Sequence, residues 1–103
     1  MGMSTGVTVP RRVIEGIMRY FEEEALELRE RLRVLEAEIE LLEKRYGISS
    51  ELFMRMLRGK EKWNLPEDAD LDIVEWEALL EQQRILRARL QRLEELWRNL
   101  IKQ

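Results

Sequence analysis

The sequence predicts an all-α protein: a long antiparallel helical hairpin, coiled-coil-like, with a short capping helix and a short N-terminal β-ribbon. Three observations predict it. Ile14, Met18, Phe21, Ala25, Leu28, Leu32, Leu35, Ile39, Leu42 and Tyr46 alternate four- and three-residue steps without a break, the beat of a coiled-coil seam. A second stripe, Trp76, Leu79, Gln83, Leu86, Leu90, Leu93, Trp97 and Leu100, keeps the same beat in the last third. Between the two stand helix-ending and helix-starting residues, Gly47 and Ser49, then Gly59 and Pro66. A narrow stripe cannot be buried by its own helix, so each one asks for a facing helix.

Residues 1–9 read as a flexible lead-in with a short strand, in which Val7 and Val9 share one face. Pro10 biases Val9 away from helical geometry and can itself open a helix. The first helix is expected over residues 10–46, with Gly47 as its left-handed stop. Glu27→Arg31 and Glu40→Lys44 are oriented to form i,i+4 pairs, and Gly16 is a weak point of roughly 1 kcal/mol against alanine. The second helix is expected over 50–58. Ser49 caps it, and Ile48 with Phe53 forms a hydrophobic staple. The third is expected over 70–101, with Glu67, Asp68, Asp70 and Asp72 crowded at its positive end. Antiparallel pairing lays Arg84, Arg87, Arg89, Arg92, Arg98 and Lys102 beside Glu22, Glu23, Glu24, Glu27 and Glu30.

With 103 residues the chain is one domain. Charged residues make up 38% and apolar ones 45%, and the formal charge is −3, which does not describe a general polyanion-binding surface. There is no cysteine and no histidine. That removes disulfides, thiolate chemistry, the commonest metal ligand and the commonest general base. No apolar run approaches the roughly 20 residues of a membrane span. The first six residues lack a signal peptide's apolar centre, and Gly6 stands where a myristoylation site has Ser or Thr. A cytoplasmic location is the expectation, with no cofactor and no metal.

Carboxylate pairs at i,i+3 are the one enzymatic pattern. Glu40 with Glu43, then Glu67 with Asp70, could serve a magnesium-dependent all-α nucleotide pyrophosphohydrolase. With 21 acids in the chain such pairs also arise by chance, and Glu67 and Asp70 stand at a helix start rather than inside one. Asp68, Asp70 and Asp72 open like an EF-hand loop, but Ile73 and Leu79 occupy its glycine and closing-glutamate positions. The arginines between 84 and 98 have no alternating aromatic platform for nucleic acid, so DNA binding is unsupported. Gln83, the one polar residue of its stripe, is read as a register-setting residue.

Two surfaces are expected to bind proteins. Val7, Val9, Val13, Ile17, Tyr20, Val34 and Leu41 lie off the seam and are assigned to a homodimer contact. Trp63, Glu67, Asp68, Asp70, Asp72 and Trp76 are assigned to a partner.

The middle of the chain carries Tyr46-Gly47-Ile48-Ser49-Ser50-Glu51, Phe53, Arg58-Gly59 and Asp72-Ile73-Val74-Glu75-Trp76-Glu77-Ala78-Leu79. This pattern resembles small archaeal and bacterial proteins encoded beside toxins, including those of the TumE type, and treated as antitoxins. The resemblance spans about residues 10–100 and is tightest at the Tyr-Gly turn and Glu-Trp-Glu-Ala. It implies a non-enzymatic protein-interaction module, the antitoxin partner of a small toxin, acting as a helical dimer. A structural or chaperone-like coiled coil is the alternative beside the hydrolase. Val7-Thr8-Val9-Pro10 is similar to the opening of ribbon-helix-helix antitoxins, but a first helix of about 37 residues departs from that fold.

Overall fold

The computed structural model describes residues 9–102. Three α-helices follow one another: α1, Arg11–Tyr46, α2, Ser50–Leu57, and α3, Asp70–Ile101. A single 3-10 turn, Glu67–Ala69, leads into α3. Among the described residues there is no strand. Val9 is exposed and non-helical, while Val7, the other residue of the expected ribbon, lies outside the described residues.

Three helix ends have an identifiable cause. The Pro10 carbonyl accepts from the amides of Val13 and Ile14, at 2.9 and 3.2 Å, and so opens α1. Gly47 closes it in the left-handed conformation (φ 68°), its amide donating to the Glu43 carbonyl at 2.8 Å. An L-residue with a side chain enters that region only at a cost. The Ser49 hydroxyl accepts from the Leu52 amide at 3.1 Å and caps α2. Ile48 packs into the same cluster as Phe53, as a staple requires.

α1 and α3 lie side by side, antiparallel, along most of their length. The molecule is a rod, 69 × 25 × 17 Å, with a radius of gyration of 20.9 Å. A compact chain of this length would have a radius near 13 Å. Two separate apolar clusters hold it. At the tip, Leu42, Phe53, Met56, Leu65 and Trp76 are buried. Along the shaft, Leu28, Leu32 and Leu86 are buried, with Leu35, Leu90 and Leu93 packed on them. Phe21 meets Trp97 further out, ring centroids 5.6 Å apart. Ile14 begins the seven-residue beat but is exposed, because among the described residues none of α3 faces it at that level.

The cross-helix charges differ from the sequence expectation. Glu22, Glu23, Glu24, Glu27 and Glu30 make no ion pair with α3 among the described residues; Glu30 pairs with Arg33 of its own helix instead. The observed links are Arg87 to Glu36 at 2.5 Å, Arg29 to Glu94 at 3.8 Å and Arg45 to Asp72 at 2.7 Å. In two of these three the base stands on α1. Glu40 pairs with Lys44 at 3.0 Å, whereas Glu27 and Arg31 do not meet. Gln83 donates to Glu36 at 2.9 Å, on the same oxygen that Arg87 reaches. Glu36 is consequently held below the ordinary glutamate range, first by Arg87 and then by Gln83. A lone seam glutamine thus ties α3 to one level of α1.

Candidate partner-binding site

The tip is organised around Trp76. Its ring is fully buried, stacked on the equally buried Phe53 with centroids 4.1 Å apart and planes 4° apart. Tyr46 lies over it at 6.0 Å and 21°. The indole N–H donates to Ser50 Oγ at 3.0 Å, and the Ser50 amide donates to Glu43 Oε2 at 2.8 Å. A buried indole donor without an acceptor would be costly, so this chain of two hydrogen bonds fixes α2 against α1 and α3 together.

One turn before Trp76, Asp72 Oδ2 accepts from the Tyr46 hydroxyl at 2.5 Å and from Arg45 Nη1 at 2.7 Å. The Tyr46 bond, then Arg45, holds the Asp72 carboxyl below its usual range. The bond to Asp72 and partial burial push the Tyr46 phenol up. This carboxylate is already occupied.

The expected partner patch therefore divides. Trp76 has no exposed surface and belongs to the core, packed with Leu42, Phe53, Met56 and Leu65 between α2 and the hairpin. Asp72 is locked to α1. Glu67, Asp68 and Asp70 are exposed, and Trp63 is 44% exposed in the loop before them.

Two residues that periodicity passed over complete the surface. Leu71 is 85% exposed and Val74 67%. With exposed Ala78 they form an i, i+3, i+7 strip on the outer side of α3. Asp70 and Glu77 flank this strip on one side and Glu75 on the other, by helix phase. From Trp63 to Gln83 the chain carries seven carboxylates and no base. The readable signal was present: two large apolar residues out of phase with the Trp76 stripe, in an acidic first turn.

The carboxylate pairs of the magnesium-dependent alternative, Glu40 with Glu43 and Glu67 with Asp70, do not gather into one cluster. Glu43 is engaged by the Ser50 amide and Glu40 by Lys44. Among the described residues no three potential ligands gather. An open groove lies between α2 and the α1–α3 pair. Two ion pairs lie along it, Arg87 with Glu36 and Arg84 with Glu81.

The residues assigned to a homodimer lie elsewhere. Val9, Val13, Tyr20, Val34 and Leu41 are exposed, and Ile17 is half-buried. No helix among the described residues is long and apolar enough to cross a membrane. No protein-family model, curated protein or solved structure matches the chain.

Proposed function

We propose that the chain is a non-enzymatic protein-interaction module that docks the outer face of the first turns of α3 onto a partner. The acid-rimmed apolar strip Leu71–Val74–Ala78 carries this reading. Two large aliphatic side chains left in water on a rigid helix act as anchors for a complementary groove. Seven carboxylates without a base between Trp63 and Gln83 select a partner with a basic rim and speed encounter with it. The residues that carry the antitoxin resemblance, Tyr46-Gly47 and Glu75 to Ala78, belong to the same end of the hairpin. A small basic toxin is the partner class that joins both lines of support.

The test is titration of the purified chain with a small toxin-like protein encoded next to it, with growth of the co-expressing cell as second readout. Leu71→Glu combined with Val74→Glu, both at exposed positions, should weaken binding at least about 30-fold and remove protection from toxicity. Asn or Gln in place of Glu67, Asp68 and Asp70 should slow association several-fold, with the difference vanishing at high salt. Unchanged affinity in the Leu71/Val74 variant refutes the assignment.

A further inference from the structure

The geometry points to self-association through a second face, with two α1 helices packed antiparallel about a two-fold axis beside Glu27. The observation is a stripe of α1 next to the internal seam. Val13, Ile17, Tyr20, Glu24, Glu27, Arg31, Val34, Glu38 and Leu41 keep the same four-three beat, so they share one side of the helix. Tyr20 is 60% and Leu41 62% exposed; Val13 and Val34 are exposed as well. Shallow grooves between α1 and α3 open on this side. One is lined by Tyr20, Glu24, Leu93 and Leu96, the other by Arg31, Val34, Glu38 and Leu86.

The order of residues along the stripe is close to its own mirror, with Ile17 against Glu38 as the exception. Val13 and Leu41 each stand fourteen residues from Glu27, and Tyr20 and Val34 each stand seven. Inside them, Glu24 stands three residues and Arg31 four from Glu27, on the same stripe and with opposite charges. An isologous contact places residue i on residue j and j on i. Turned antiparallel about Glu27, Val13 therefore meets the partner's Leu41 and Tyr20 meets the partner's Val34, while Glu24 comes within one residue's rise, about 1.5 Å along the helix, of the partner's Arg31. Ile17 falls against the turn carrying Ala37 and Glu38. The two Glu27 carboxylates near the axis are flanked by both Arg31 guanidinium groups. Within one chain neither Glu24 nor Arg31 has an ion-pair partner among the described residues, so both are available across the contact.

α3 agrees with this arrangement. Arg29 reaches Glu94, which puts the axis level with Leu93 and Leu96, and these leucines meet their own copies. A two-fold axis along the rod would instead set α1 against the partner's α3 and bring Arg31 to the level of Arg89 and Arg92. Like charges would then oppose. The surface is also large enough. The chain exposes 7974 Å², against about 6,200 Å² for a compact monomer of its mass. The excess is more than the roughly 800 Å² per partner of a standard interface.

This inference is independent of the partner strip, which lies on the tip, and the experiment separates the two. Sedimentation equilibrium of the full chain at tens of micromolar should give the mass of a dimer. Because the chain has no cysteine, single cysteines report the register. Glu27→Cys should form a disulfide-linked dimer on mild oxidation. Val13→Cys and Leu41→Cys should cross-link only when mixed, since two copies of Leu41 stand about 42 Å apart. Glu24→Arg and Arg31→Glu should each weaken association about tenfold, and the double exchange should restore it. All these positions except half-buried Glu24 are exposed, and far-UV circular dichroism checks that the helices persist. A monomer mass overturns the inference. So does a dimer in which Arg31→Glu alone tightens association, or in which Leu41→Cys links to Ala78→Cys. A dimer abolished by Leu71→Glu with Val74→Glu and untouched by Glu24→Arg overturns it too, and moves the contact to the tip.

Discussion

Replacing Phe53 by alanine tests whether the tip is a separate cooperative unit. Phe53 is fully buried and lies flat on Trp76 at 4.1 Å. Truncating a buried phenylalanine costs about 3–5 kcal/mol, transfer and cavity together, and that figure already holds the aromatic pair's share of about 1 kcal/mol. A chain of this length has about 5–15 kcal/mol in all, so a uniform loss would leave it barely folded. The loss should not be uniform. The tip cluster and the shaft cluster of Leu28, Leu32 and Leu86 have no buried residue in common. Hydrogen exchange read by mass spectrometry should therefore show amides of α2 and of Ile73 to Leu80 losing most of their protection. Amides around Leu28–Leu32 and Leu86–Leu93 should keep theirs. Phe53→Leu, which refills much of the volume, should cost less than half as much. Protection lost equally along the whole rod, or a cost below about 1.5 kcal/mol in urea denaturation, would refute the two-cluster reasoning.

Two further outcomes follow from the tip network. Ser50→Ala leaves the buried Trp76 N–H without its acceptor and should cost about 1–3 kcal/mol, read from the urea midpoint. Adding Trp76→Phe should then cost less than Trp76→Phe does alone. The Tyr46–Asp72–Arg45 cluster should shape both limbs of the pH–stability curve. The Asp72 carboxyl titrates lower when folded. Its stabilisation is thus complete above the ordinary aspartate pKa and is lost as pH falls through the depressed value. The Tyr46 phenol titrates higher when folded. Its contribution is complete below about pH 10 and is lost as pH rises through the raised value. Asp72→Asn should flatten both limbs in thermal melts across pH, and a curve identical to the parent's would count against the cluster.

Much of the fold was legible in single residues. Pro10, Gly47 and Ser49 mark helix ends because each has one strong local preference that nothing in the tertiary structure opposes. The stripes gave the facing helices, since burial of a narrow apolar line has only a few solutions. Gln83 was recognisable as a register residue, although its partner Glu36 was not. The site was harder to read. Trp76 stood in an acid-rich stretch and looked like an anchor, but the seam phase that includes it turns it inward. Leu71 and Val74 lie out of phase and were overlooked, because periodicity searches for what is buried. Long surface side chains were the least legible. The acids from Glu22 to Glu30 were assigned to α3 by level alone, and level does not say which way a flexible side chain points.

The hairpin's geometry also sets an order of assembly. Ser50 and Trp76, joined at the tip, stand 26 residues apart along the chain; Glu36 and Arg87, on the shaft, stand 51 apart. Each doubling of the span to be closed adds about 0.6 kcal/mol of entropy loss, and Phe21 with Trp97 is more distant still. Contacts formed at the tip shorten every later closure, so the two long helices join from α2 outward, like a zipper with one fixed end. The open ends come together last and part first. Leu71 and Val74 stand at the end that loop entropy closes first, while the stripe from Val13 to Leu41 runs toward the end that it closes last.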